Sequence, residues 1–220
     1  MMNYKEFQIL AKENKTVPVY KRILADLLTP ISAYMRLANN SKYAFILESV
    51  EKGTRYGRYS FIGRNPQMIV RSQSKITQVF ENGIWRDESS DFLEYLRKIQ
   101  KNYQAPKLSG IPNFTGGLVG YMGYESIIWV EDIPIYEKDT LQCPDALFML
   151  FHEIIAFDHL QNQIILFSNV QIKEGVDLKK TYNDAHARID KMGEDLHTDI
   201  DYQTPARQQK SDLNSNFSQG

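Results

Sequence analysis

Glu48, Ser49, Arg58, Tyr59 and Ser60 stand at two strand ends within one short stretch of this chain, FILESVEKGTRYGRYSFIG from Phe45 to Gly63. Glu48 and Ser49 follow directly on the apolar run Phe45, Ile46 and Leu47, and Arg58, Tyr59 and Ser60 open a second extended pattern after a loop containing Gly53 and Gly57. A carboxylate and a hydroxyl at the end of a buried strand are held by their ladder neighbours, which suits recognition of a small molecule. The competing reading is a hairpin whose glutamate caps a turn, since buried polar groups are most often satisfied locally.

No set of residues along the chain makes a catalytic constellation. No histidine lies in a serine or cysteine nucleophile motif, and neither a nucleophile elbow nor zinc-ligand spacing occurs. His152 and His159 do not suggest a metal site. His152 precedes Glu153 in a strand-like run, where neighbours point to opposite faces, and His159 falls in a turn. The glycine-dense segment FTGGLVGYMGYESIIWVEDIP, from Phe114 to Pro134, matches neither the dinucleotide fingerprint nor the phosphate-loop pattern. It reads as a bulged strand packed closely on a neighbouring sheet.

Composition narrows the class. The 220 residues include 26 Lys plus Arg against 27 Asp plus Glu, for a net charge of -1, with 42% hydrophobic residues. That is an ordinary globular balance. The cations are scattered, so nothing could neutralise a row of phosphates, and a nucleic-acid partner is not expected. A lone cysteine, Cys143, excludes an internal disulfide, fits a reducing compartment and reads as a buried small hydrophobe. The N-terminus is too charged for a secretory signal, and no apolar run approaches the ~18 residues of a membrane span. A cytoplasmic protein is expected.

The elements that must position the polar stretch follow from periodicity. Tyr4 to Glu13 reads as an amphipathic helix and Val17 to Tyr20 as extended. Thr29 and Pro30 are a cap and first-turn proline for a helix over Ile31 to Asn39. Strands dominate Tyr43 to Arg86, with Asn82 and Gly83 making a hairpin turn between Ile76–Phe80 and Ile84–Trp85. Ser89, Ser90 and Asp91 cap a helix carrying Phe92, Leu93, Leu96, Ile99 and Tyr103. Ala146 to Phe157 and Gln163 to Val170 form a second hairpin across Asp158 to Asn162. Asp177 to His197 is the clearest helix, its stripe of Leu178, Tyr182, Ala185, Ile189, Met192 and Leu196 covering an apolar surface. Residues after His197 are polar and nearly free of aliphatic side chains, as in a linker.

Taken in order, four segments resemble the N-terminal region of anthranilate synthase component I, a chorismate-using family: VPVYKRILADLLTPISAYMRL, FILESVEKGTRYGRYSFIG, FTGGLVGYMGYE with EDIP after it, and FHEIIAFDHLQNQIIL. The resemblance covers nearly the whole chain. It implies an α+β fold with mostly antiparallel sheets packed face to face and helices outside, residues 1–197 forming the regulatory N-terminal region and 198–220 a linker toward an absent chorismate-binding half. It implies an enzyme class, a lyase, that makes anthranilate and pyruvate from chorismate and glutamine-derived ammonia with Mg2+, beside a glutaminase subunit (component II). This chain is then expected to lack catalytic and metal-binding residues, to bind no metal itself and to be inactive alone. By the same resemblance Leu47, Glu48 and Ser49, with Arg58, Tyr59 and Ser60 on the following strand, line the feedback pocket for L-tryptophan. An ammonium wants a carboxylate, and an indole wants an apolar wall with one acceptor. The chain departs from the family pattern after the glycines, where an aspartate and then an arginine are usual and Glu125 and Ile128 stand. The folate-pathway relative, aminodeoxychorismate synthase component I, and a non-enzymatic amino-acid-binding module are the alternatives.

Overall fold

A computed structural model describes residues 1–39, 41–48, 57–73, 75–134 and 143–200, with the side chain of residue 125 excepted. Its elements, in chain order, are α1 (Tyr4–Glu13), β1 (Thr16–Leu24), α2 (Pro30–Ala38), β2 (Ala44–Leu47), β3 (Tyr59–Arg64), β4 (Met68–Gln73), β5 (Ile76–Glu81) and β6 (Ile84–Glu88). There follow α3 (Phe92–Asn102), β7 (Gly117–Met122), a 3-10 turn (Tyr124–Trp129), β8 (Ala146–Phe151), β9 (Glu153–Asp158), β10 (Gln163–Gln171) and α4 (Leu178–Asp195). The strands form two five-stranded sheets, ordered β1-β10-β9-β3-β2 and β6-β5-β4-β8-β7, and every pairing is antiparallel. This is the α+β class with face-to-face antiparallel sheets and outer helices that the sequence led us to expect.

Three apolar clusters define four layers. The first sheet buries Val17, Val19, Ile62, Ile155, Phe157, Ile164 and Leu166 against α1, α2 and α4. Its other face meets the second sheet through Phe45, Phe61, Ile154, Ala156, Ile165 and Phe167, with Phe151, Met149 and Val119 opposite. The far face of the second sheet, Met68, Val70, Val79, Ala146 and Leu150, is covered by Phe92 and Ile99 of α3. A first sheet covered on both faces explains why β9 and β10 read as continuous apolar runs and not as alternating ones.

Local signals place the elements. Asn3, Thr29, Asp91 and Asp177 each accept a backbone N–H at the start of a helix, and Thr29 with Ser32 completes a reciprocal capping box. Asn82 and Gly83 adopt φ of 53° and 83°, the positive values that a two-residue hairpin turn demands. Gly120 on β7 explains part of the glycine density: a Cβ there would lie 1.9 Å from the Leu147 carbonyl oxygen. Only a bare backbone permits that approach.

Two expectations are corrected. The run Ala146 to Phe157 is two strands in different sheets, β8 and β9, because the chain turns a corner at His152. Periodicity could not show the break, since both strands are apolar. Cys143 is exposed and not buried, because it lies in the stretch that leads into β8. The edges of the second sheet are open: Ile84 on β6, Met122 on β7, and Tyr124 and Val130 beyond it are all exposed.

Candidate functional site

The candidate residues that the structure describes lie at one end of the first sheet. β2 pairs with β3 so that Leu47 stands opposite Phe61, and β3 pairs with β9 so that Tyr59 stands opposite Asp158 and Ser60 opposite Phe157. Antiparallel pairing therefore brings the end of β2, the start of β3 and the β9–β10 turn to a common edge, although residues 58 and 158 are far apart in sequence.

At that edge Asp158, almost wholly buried, organises its neighbours. Its carboxylate accepts from Arg58 Nε at 3.0 Å and Nη2 at 2.6 Å, a bidentate ion pair. It also accepts from the backbone N–H groups of Leu160 and Gln161, which closes its own turn. Burial works against ionisation of this carboxyl, but the Arg58 hydrogen bonds and those two amides outweigh it and hold its pKa below the usual range. The hydrogen bond to Asp158 likewise raises the Arg58 pKa. The His159 N–H donates to the Arg58 carbonyl at 2.9 Å, and His159 Nε2 lies 2.7 Å from the Oγ of buried Ser60.

Aromatic groups continue the edge. The Arg58 guanidinium lies 4.9 Å from the Tyr59 ring centroid, Tyr59 stands 6.0 Å from Phe61, and Phe61 meets Phe114 edge-on at 5.3 Å. The Tyr59 hydroxyl has its pKa raised by burial first and then by the Asp158 carboxylate.

The six candidates thus divide. Arg58, Tyr59 and Ser60 come together in one node with Asp158 and His159, and the first and last of them already have protein partners. Leu47 and Glu48 reach the neighbouring strand end with exposed side chains, and Ser49 lies outside the described residues. The sequence reading missed Asp158 and His159 as partners of the site. It placed both in a hairpin turn, and only the register of β3 against β9 pairs them with Arg58 and Ser60.

The scaffold is thus of the α+β class, two antiparallel five-stranded sheets with outer helices, and the polar node stands at one end of the first sheet. The profile of the chorismate binding enzyme family matches residues 42–219, and the chain belongs to that family. It is 35% identical over 185 residues to anthranilate synthase component 1 of Acetivibrio thermocellus, which covers 84% of this chain and 37% of the relative. Against the probable anthranilate synthase component 1 of Schizosaccharomyces pombe it is 34% identical over 199 residues, again 37% of the relative. The crystal structure of anthranilate synthase component I from Streptococcus pneumoniae TIGR4 superposes with a TM-score of 0.53 at 26% identity, covering 81% of this chain and 37% of that one. The chain therefore spans somewhat more than a third of the length of these relatives.

Proposed function

We propose that this chain is the tryptophan-sensing, N-terminal part of an anthranilate synthase component I, the lyase subunit that converts chorismate and glutamine-derived ammonia into anthranilate and pyruvate in the cytoplasm. The observation that carries the reading is the family match over residues 42–219, together with relatives that are anthranilate synthase component 1 proteins. In this reading the chorismate and Mg2+ sites belong to the other part of such an enzyme. Among the described residues no group of three His, Cys, Asp or Glu side chains could hold an ion. The glutaminase, component II, is the partner that supplies ammonia.

The effector's contacts fall to the end of β2. The exposed Glu48 carboxylate is suited to the ammonium of an amino acid, Ser49 adds a hydroxyl, and Leu47 with Tyr59 provides apolar and aromatic wall. Arg58 and Ser60 serve mainly to hold the start of β3 in place through Asp158 and His159. Tryptophan acts here as a regulator and never as a reactant.

The test is complementation in trans. The chain is co-expressed with an Acetivibrio thermocellus component 1 lacking the segment it matches, and anthranilate fluorescence is followed with chorismate and ammonia. Restored, tryptophan-inhibited anthranilate formation is expected, whereas aminodeoxychorismate as product would move the assignment to the folate-pathway relative. In the same system Ser49→Phe should raise the tryptophan concentration for half-inhibition at least roughly tenfold while sparing the uninhibited rate, a loss of about 1.4 kcal/mol or more of effector binding. Unchanged inhibition would remove Ser49 from the pocket. The chain alone is expected to make no anthranilate and to bind L-tryptophan weakly or not at all by calorimetry.

A further inference from the structure

The corner where the chain passes between the two sheets carries a polar cleft that the effector reading leaves unused. β3 leaves the first sheet through residues 65–67 to become β4 of the second, and β8 becomes β9 across the single residue His152. Asn169 on β10 stitches this corner together. Its backbone N–H and its Nδ2 both donate to the His152 carbonyl, at 2.8 and 3.0 Å, and Nδ2 also donates to the Thr115 carbonyl at 2.6 Å. Beside it opens a cleft of about 500 Å3 bordered by Asn65, His152, Glu153, Lys173, Thr181 and Arg188. A second hollow of about 270 Å3 shares Gln171 and Lys173 with it and is bordered by Lys15.

The charge in this groove is unbalanced. Arg188 Nε donates to buried Ser168 Oγ at 3.0 Å and lies 3.1 Å from Glu153 Oε1, an arrangement that fixes the guanidinium, while no described residue accepts from its Nη1 or Nη2. Lys15 and Lys173 are exposed, and neither is in an ion pair with a described residue. Arg188 and Lys173 therefore share the cleft with one carboxylate that is already engaged, and Lys15 adds a third cation at the adjoining hollow. The His152 imidazole, packed on Tyr103 at 5.1 Å, has its pKa lowered to about 4 by burial and then by Arg188, so at neutral pH it is an uncharged wall. A fixed guanidinium with open Nη groups matches the paired oxygens of a carboxylate or phosphate, and a concave site with a surplus of one sign concentrates its counter-ion.

We propose that this corner cleft is a binding site for a small oxyanion-bearing metabolite, gripped by Arg188 and Lys173, with Lys15 at the far end and Thr181 and Asn65 as neutral hydrogen-bonding groups. Glu153 and Ser168 orient Arg188 and do not themselves meet the anion. The site is independent of the β2–β3 edge and stands whether or not that edge binds tryptophan.

The chain, labelled with 15N, is titrated with sodium succinate and separately with sodium phosphate, each against sodium chloride at matched ionic strength. Saturable shifts are expected at the amides of Glu153, at 169–173 and at the Arg188 side chain, with one of the two anions binding more tightly and so naming the class. Lys173→Gln, at an exposed position where the fold is not at stake, should weaken binding roughly fivefold, and Arg188→Gln at least roughly tenfold, each the loss of a charge-assisted contact. Shifts that chloride reproduces, saturable shifts that survive both substitutions, shifts that map elsewhere, or no saturation with either anion would each overturn the proposal.

Discussion

The two sheets have the same number of strands and the same antiparallel pairing, yet they differ in how they are covered. The first has helices on one face and the second sheet on the other, and in its central strands β9 and β10 almost every residue is buried. The second has α3 over part of its outer face and leaves β6 exposed along most of its length, with β7 exposed over its second half. The candidate binding edge lies on the first sheet. A site that must hold polar groups in fixed geometry gains from strands whose neighbours cannot move, and a densely packed layer supplies that rigidity.

This contrast can be broken or sharpened by substitution. The largest effect is expected at the centre of the first sheet, where Ile165 is fully buried between strands and the second sheet: Ile165→Ala should cost about 4 kcal/mol in urea denaturation. The matching change at Ile84, which is 69% exposed on β6, should stay within about 0.5 kcal/mol. Similar costs at the two positions would show that the sheets are equally packed in solution.

Next comes the clamp at the candidate edge. Asp158→Asn removes the bidentate partner of Arg58, whose own side chain is 32% exposed, so the expected loss is about 3 kcal/mol and not the larger figure for a fully enclosed pair. Because the Asp158 carboxyl is held below its usual pKa, its contribution is complete above the unfolded-chain value of about 3.9 and fades as pH falls through the lower folded-state value. The difference between wild type and variant should therefore shrink below about pH 4. A difference that stays constant down to pH 2 would mean the ion pair contributes little.

The corner at His152 gives a smaller, pH-gated effect. The native state keeps this imidazole neutral down to a pKa of about 4, whereas the unfolded chain takes up the proton near 6.5. Stability is full above pH 6.5 and declines between there and about 4, by roughly 2 to 3 kcal/mol from this group. His152→Gln should flatten that part of the profile. An unchanged slope would show that the ring is open to water.

Much of the architecture is legible in the sequence because its determinants are local. Thr29–Pro30, Asp91 and Asp177 announce helix starts through caps that act within three residues, and Asn82–Gly83 sets its hairpin through two backbone angles. The stripe on α4 shows a helix that must lie on an apolar surface, and Ala185, Ile189 and Met192 do lie buried on the first sheet. The candidate site was legible only in part. Glu48, Arg58, Tyr59 and Ser60 stand out as polar residues at strand ends, but nothing near them in the chain names Asp158 or His159 as their partners.

What the sequence alone determined, then, was most of the helices and strands and the polar residues at two strand ends, since caps, turns and hydrophobic periods act over a few residues. Tertiary structure decided which sheet each strand joins, why the apolar run from Ala146 splits at His152, and which groups meet Arg58 and Ser60. Those outcomes depend on strand register and on burial from both faces, which arise only when segments a hundred residues apart are brought side by side.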